Sequence, residues 1–333
     1  MLNIKRKIQE GDKVVLYSGK DRMSLVVVKN DNTIFNSKFG NYRIKNLIGV
    51  EYGSKVYSND EKGFLHAIAL NPELWSITLD HRTQILFNLD ISTIIFNLEL
   101  KNGSKVVESG TGSGSLSTSI ARTVAPLGHL YTFEFHKERA EHAIRDFTEN
   151  GIKQYITVTH RDACVDGFKL ENVEGMVGYI DAVFLDLPCP WEAIDNAVAV
   201  MHHGSMLCSF SPCIEQVQNT CLKLSESSFQ EITTIEVLIR TYDTKYHKVE
   251  SMDLVNPYDS TNTINNEEVS NSSSNTDEKP QQRQSTKWGQ SKPQSFTVGE
   301  MKGTKKDQFL TNVIKESRGH TGYLTFARYI KEE

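Results

Sequence analysis

The chain has 333 residues and a net charge of -5, with 38% hydrophobic and 24% charged side chains. That is enough for a sizeable core, and it argues against a protein that grips nucleic acid by bulk positive charge alone. A local basic patch, or a partner that supplies the charge, stays compatible with it. The five cysteines, Cys164, Cys189, Cys208, Cys213 and Cys221, form no CxxC pair, so neither a disulfide framework nor a zinc or other metal site is expected. A reducing compartment, nucleus or cytosol, follows as the expectation. The opening MLNIKRKIQEGDK has no apolar signal region, and no run of 18 apolar residues is present, so no membrane association is expected.

Residues 1–70 read as a small β-domain. GDKVVLYSG, SLVVVK and TIFNSKF are β-rich runs separated by Gly, Asp and Asn turn signals. Asn71-Pro72-Glu73 is a helix start, with Asn as cap and Pro at the first helical position. Ile91, Ile94, Ile95 and Leu98 then share one helix face.

From there strands and helices alternate. KVVE (105–108), LYTFE (130–134), ITVTH (156–160), IDAVFLDL (180–187) and SMLCSF (205–210) are the expected strands. Between them come the apolar faces Leu116–Ile120–Val124, Ala140–Ala143–Ile144–Phe147 and Ala193–Ile194–Ala197–Val198–Met201, the last closed by Gly204. Asn150-Gly151 is a helix stop. Ser211-Pro212 is expected to open a helix through Ile214, Val217 and Cys221. This alternation predicts an α/β fold, a doubly wound, parallel Rossmann-like sheet. Residues from about 251 to 304 are polar and rich in Ser, Asn and Gln, and predict a disordered insert. GYLTFAR (322–328) reads as a strand returning to the sheet, so the insert interrupts a domain running from 71 to 333.

The chemistry is carried by loops at the strand ends. Glu108-Ser109-Gly110-Thr111-Gly112-Ser113-Gly114-Ser115 follows a strand and opens a helix. Glycines there let backbone turn sharply and approach a nucleotide-like ligand. A dinucleotide fingerprint would place a third Gly where Ser115 stands. The pattern here is ExGxGxG, with an acid ahead of the glycines. It suits S-adenosyl-L-methionine, whose methionine end carries an ammonium. Glu134 ends the second strand, where a carboxylate accepts hydrogen bonds from ribose hydroxyls; NAD and S-adenosylmethionine share that feature. Asp162, after the third strand, is either an acceptor for an adenine amino group or a turn-forming Asp.

Asp186-Leu187-Pro188-Cys189-Pro190-Trp191 ends the fourth strand. Ligands of doubly wound sheets bind beyond the carboxyl ends of strands, so Asp186 faces the site. Two prolines stiffen the loop behind it. A base methyltransferase needs such a loop to hold a planar base in line for displacement, with Pro188 and Trp191 as substrate contacts. Plain core packing is the competing reading for Trp191.

With these motifs in view, the chain resembles the catalytic subunit of the eukaryotic tRNA (adenine-58-N1)-methyltransferase. The matching stretches are PELWSITLDHRTQIL (72–86), ESGTGSGS (108–115), GHLYTFEFHKERAE (128–141), DAVFLDLPCPWEA (181–193), CSFSPCIEQVQ (208–218) and GHTGYLTFA (319–327). The resemblance implies a class I methyltransferase sheet with a small N-terminal β-domain. It implies cofactor contacts at Leu86, Ser113, Gly114, Ser115, Glu134, Arg139, Asp162 and Ala163, beside the loop residues Glu108, Gly110 and Gly112. It sets Asp186 beside the target base. It further implies a heterotetramer with a noncatalytic sister subunit, tRNA as substrate, and a nuclear location. Cys189 stands where relatives often have Ser.

On that reading Asp186 accepts a hydrogen bond from the adenine N6 amino group and stabilises the charge that develops as N1 is methylated. His81 and Arg82 at the mouth, and Ser211 with the backbone of Pro212, are expected clamps. Lys5, Arg6 and Lys7 are either phosphate contacts or a solvated tail. An NAD-dependent oxidoreductase shares the sheet, the glycines and the ribose acid, and fails on Ser115 and on the Asp-Leu-Pro-Cys-Pro-Trp loop. A noncatalytic sister chain would be expected to lose the glycines and Asp186.

Overall fold

The computed structural model describes residues 6–19, 22–79, 85–170, 173, 177–239, 242–251, 304–313 and 321–331. The chain divides into two compact units, Met1–Leu238 with Gly319–Glu333, and Ile239–Arg318.

In the first unit, alternating apolar residues near the start build strands β1 (Lys13–Tyr17), β2 (Met23–Val27), β3 (Ile34–Ser37), β4 (Gly40–Arg43), β5 (Lys55–Tyr57) and β6 (Phe64–Ala69). Four of them form an antiparallel sheet in the order β2-β1-β6-β5, and β3 pairs with β4. Ile8, Val14, Leu16, Ile44, Leu47 and Leu65 fill a core beneath one face. Helix α1 (Pro72–Thr78) follows, and Asn71 Oδ1 accepts the Leu74 N–H at 2.7 Å, as the Asn-Pro signal predicts.

The central sheet is built from β7 (Lys105–Ser109), β8 (His129–Glu134), β9 (Ile156–His160), β10 (Ile180–Leu185), β11 (Met201–Ser211), β12 (Phe229–Glu236) and β15 (Tyr323–Tyr329). Its order is β12-β15-β11-β10-β7-β8-β9. β7 to β11 run parallel, and β15 lies antiparallel between β11 and β12. Chain order reverses between β7 and β10, which makes their carboxyl ends the switch point where a doubly wound sheet receives its ligand. Two apolar layers cover the faces. One packs α2 (Asn88–Asn97), α3 (Ser115–Val124) and α4 (Lys137–Glu149) through Ile94, Ile120 and Phe147. The other packs α5 (Ile194–Val198) and α6 (Ile214–Glu226) through Ile194, Ala197 and Leu224.

Three boundaries differ from the sequence expectation. The helical face read through Met201 stops at Val198, because Met201 pairs with Ile180 as the first residue of β11. Gly204 sits inside that strand at φ +87°, and does not close a helix. α6 starts at Ile214 with Cys213 as its cap, two residues beyond Ser211, which is still strand. β12 was not anticipated, since its burial alternates only weakly.

In the second unit β13 (Tyr242–Ser251) pairs antiparallel with β14 (Thr304–Val313) from Tyr242↔Val313 to Ser251↔Thr304. The polar segment expected to be a disordered insert falls between these strands, and its residues 252–303 lie outside the described residues.

One largely buried cation ties the N-terminal sheet to the helices of the central sheet. Lys13 Nζ reaches Glu149 at 2.8 Å and Asn150 Oδ1 at 3.1 Å, and lies 5.1 Å from the Trp75 ring centroid. Its side chain is only 12% exposed, so ion pair and cation–π contact are partly shielded from solvent. Lys13→Met keeps the apolar stem and removes the charge. It should lower stability by about 1–2 kcal/mol; an unchanged urea midpoint would show that the tie contributes nothing.

Candidate active site

The tips of β7, β8 and β10 are laced by backbone hydrogen bonds. Asp186 N–H donates to Ser109 O at 2.9 Å, Gly110 N–H to Phe133 O at 2.9 Å, and Arg161 N–H to Glu134 O at 3.0 Å. Above them opens a cleft of about 680 Å³, within the range of small-molecule sites. Leu86, Gly110, Gly112, Glu134, Arg139, Asp162, Ala163, Asp186, Pro188 and Pro212 line it, all expected from the sequence. A recess of about 30 Å³ continues from it past Gly110 and Gly112, and adds Glu108, Ser113 and Ser115.

The glycine loop is shaped by steric need. Gly110 has φ +95°, and a Cβ there would strike the Asp186 carbonyl oxygen. Gly114 has φ +74° and caps α3, but a Cβ on it would meet the Phe147 ring at 2.7 Å. Gly114 lines neither cavity. In this structure it serves close packing of the loop on α4. Ser115 Oγ lies 2.6 Å from Ser76 Oγ and donates to Leu86 O at 3.0 Å. It thus joins the loop to α1 and to the residue entering the cleft.

Glu134 is 3% exposed and fixed from two sides. Its Oε2 accepts the Gly112 N–H and its Oε1 the His136 N–H, each at 3.0 Å, and Arg139 lies 3.9 Å away. Each oxygen keeps one lone pair for a ligand hydroxyl. Asp162 Oδ1 accepts the Cys164 N–H at 2.9 Å and the Val165 N–H at 3.3 Å. It forms the turn, and it also lines the cleft with its second oxygen uncommitted in these bonds.

Glu108 is 1% exposed and accepts from Ser117 Oγ at 2.6 Å. Burial pushes its carboxyl up to about 7, against hydrogen bonds from Ser117 and Thr132 that pull it down; the charges of Asp186 and Glu134 push further. Burial likewise raises Asp186 to about 6, helped by the Glu134 charge. Three acids therefore share a site that Arg139 and Arg161 also line, with Arg139 3.9 Å from Glu134, and the carboxylates suit a cationic guest.

Two expected substrate contacts do not line the cleft. Trp191 packs against the apolar layer under α5 and α6 and does not line the cleft. Ser211 is fully buried; Phe210 and Pro212 on either side line the cleft, so strand alternation turns Ser211 to the opposite face. Arg6 pairs with Glu51 at 3.2 Å. His81, Arg82 and Lys5 lie outside the described residues. Phe135 and Val165, both cleft-lining and 60% and 79% exposed, were missed. The available signal was an apolar residue just after a strand-end acid, in a loop where burial does not explain it. Among the described residues no cluster of His, Cys, Asp or Glu is arranged to hold a metal ion, and no helix is long and apolar enough to cross a membrane.

The raised acids make ligand-free stability depend on pH. Folded values above the unfolded ones stabilise fully below about pH 4, and that contribution is lost as pH rises through about 6 for Asp186 and about 7 for Glu108. The melting temperature should fall between pH 5 and 8, and Glu108→Gln should flatten the fall. A Glu108→Gln profile as steep as wild type would refute the assignment. Gly110→Ala should abolish cofactor binding; retention of wild-type affinity in a thermal-shift titration would contradict the loop geometry.

A family model described as the tRNA methyltransferase complex GCD14 subunit matches residues 63–329. The chain is 61% identical over 331 residues to the tRNA (adenine(58)-N(1))-methyltransferase catalytic subunit of Dictyostelium discoideum, covering 99% of both chains. It is 36% identical to the catalytic subunit of the same name in Candida albicans, over 99% of this chain and 98% of that one. Against the Cryptococcus neoformans protein of that name it is 42% identical, over 73% of this chain and 55% of the relative. Among solved structures, an S-adenosylmethionine-dependent O-methyltransferase from Thermotoga maritima superposes with TM-score 0.71 at 21% identity, covering 98% of this chain and 96% of that one. A tRNA (m1A58) methyltransferase from Aquifex aeolicus gives 0.66 at 18% identity, over 98% and 100%. These two show the fold, which is the doubly wound methyltransferase sheet expected from the strand pattern. The family match and the full-length identity go further, and the chain belongs to the family of tRNA methyltransferase complex GCD14 subunits.

Proposed function

We propose that this chain transfers a methyl group from S-adenosyl-L-methionine to N1 of adenine 58 in tRNA, as the catalytic subunit of a complex with a noncatalytic sister chain. The observation that carries the chemistry is the acidic cleft at the switch point, with Asp186 on its floor and bare glycine backbone beside it. The names of the relatives supply the nucleoside and its position.

The residues fit the cofactor. Glu134 has lone pairs left for a ribose diol, and Asp162 has a free oxygen for an adenine amino group. Gly110 and Gly112 admit close backbone approach, and the acids suit an ammonium and a sulfonium. When bound, S-adenosylmethionine supplies an electrophilic methyl group on a positively charged sulfur.

The chain's own part is to orient and to compensate charge. N1 of neutral adenine carries a lone pair, so no base need remove a proton before attack. The methylated base is a cation, and a carboxylate at its N6 edge matches charge that grows toward the transition state. Asp186 accepts from the N6 amino group, while Pro188 and Pro212 line the walls beside it. The target base must leave its stack to reach this depth. A net charge of -5 is poorly suited to holding a polyanion alone. The sister subunit answers that need, in keeping with the family's description as part of a complex.

Asp186→Ala in the assembled complex should slow single-turnover methylation by roughly 100-fold, with tRNA affinity retained. Near-wild-type turnover with intact cofactor binding would remove Asp186 from the mechanism. Because Asp186 acts as a carboxylate, the rate should also fall as pH drops through about 6. A bound cation moves that midpoint down, never up. A profile whose midpoint lies above 7 would assign the titration to another group.

A further inference from the structure

The outer face of the N-terminal sheet carries four aromatic rings across three strands. Register puts Tyr17 of β1 opposite His66 of β6, and Phe64 of β6 opposite Tyr57 of β5. Ring centroids are 6.5 Å apart for Tyr17–His66, 5.6 Å for His66–Phe64 (edge to face) and 6.2 Å for Phe64–Tyr57. Lys55 Nζ lies 4.2 Å from the Phe64 centroid. The alternate residues Val56, Leu65 and Leu16 point the other way and build the domain core. Tyr57 is 57% exposed and Phe64 44%. Cross-strand pairing accounts for each pair taken singly. It does not account for a continuous run of rings, two exposed and two half-buried, with a cation on it.

The face leads toward the cleft. Met23 pairs with Tyr17, and Leu25, two residues along the same face of β2, packs against Trp75, Leu79 and Ile85. Ile85 lines the cleft. The character of the patch suits a nucleobase better than a protein. Three of its four rings have polar edges and a lysine stands among them, whereas protein interface cores are depleted of charge. A base offers a π-face, a polar rim and a phosphate that Lys55 complements. The nearby Asp60 carboxylate is engaged within its own turn, by Ser58 Oγ at 2.6 Å and Lys62 N–H at 3.4 Å.

We propose that Tyr17, His66, Phe64 and Tyr57, with Lys55, form a stacking platform for unpaired bases of the RNA whose adenine enters the cleft; this rests on the tRNA substrate proposed above. The platform would hold nucleotides displaced around the target while the adenine is withdrawn from its stack.

The test uses the full chain assembled with its sister subunit. Tyr57→Ala/Phe64→Ala is compared with the ring-preserving Tyr57→Phe/Phe64→Tyr, by fluorescence anisotropy on tRNA and by steady-state kinetics. Loss of stacking should weaken tRNA binding roughly 5- to 100-fold and raise KM at nearly constant kcat. The ring-preserving pair should behave as wild type. Cofactor affinity and complex assembly should be unchanged in both, and the melting temperature of the alanine pair should fall only by the loss of its cross-strand ring contacts. Unaltered tRNA affinity of the alanine pair overturns the proposal. So does failure of the alanine pair to assemble, which would mark the face as a protein-docking surface. If the wild-type complex does not methylate tRNA, the substrate reading fails by itself. An unpaired oligouridine then reads the platform separately, and binding that does not depend on the rings overturns it.

Discussion

The cleft depends on how closely three strand tips approach one another. Asp186 N–H bonds to Ser109 O, Gly110 N–H to Phe133 O, and the space between Gly110 and the Asp186 carbonyl is too small for a single carbon. That lacing draws Glu108, Glu134 and Asp186 from three different strands into one site. It also leaves the loop after β7 with no freedom to carry side chains at its first glycine. Geometry that gathers carboxylates therefore also opens the backbone to a ligand, and neither feature can be altered without the other.

Burying the acids costs stability, and gathering them adds a smaller amount. Keeping Glu108 charged at neutral pH, against a value pushed from 4.5 to about 7, opposes folding by on the order of 3 kcal/mol. A typical domain has only about 5–15 kcal/mol to lose. Ser117 and the backbone N–H groups at Glu134 offset part of the repulsion. A cationic ligand offsets more, so cofactor binding and stability are thermodynamically linked. The apolar layers around Ile120 and Phe147 on one face and Ile194 and Leu224 on the other supply the reserve that makes a strained site tolerable.

Strand ends were legible in the sequence because punctuation and periodicity agreed there. KVVE, LYTFE and ITVTH are short apolar runs ending in or beside a polar residue, and all three appear as strands with their acids at the cleft. Local pattern failed where two elements adjoin without punctuation. Ala197, Val198 and Met201 continue a helical spacing, yet pairing with Ile180 takes Met201 into β11. Trp191 and Ser211 sit at the expected strand ends and turn away from the cleft. Side-chain direction is set by strand alternation and by the layer beneath, which motif spacing does not encode. Gly114 also answers a packing need that no local motif encodes, since its neighbour Phe147 stands 33 positions along the chain.

The N-terminal sheet shows how a second element acquires a bearing on the site without touching its chemistry. Lys13 is held by Glu149 and Asn150 at the end of α4, and Ser76 on α1 by Ser115 at the start of α3. α3 and α4 are the helices that follow the strands bearing Glu108 and Glu134. The end of α4 is thus tied to the N-terminal sheet, and the start of α3 to the helix that follows it. A rigid joint of this kind makes the outer face of the small sheet a surface at a set distance from Asp186. For a substrate much larger than the cleft, that distance is what converts binding energy far from the reacting atom into correct placement of the base.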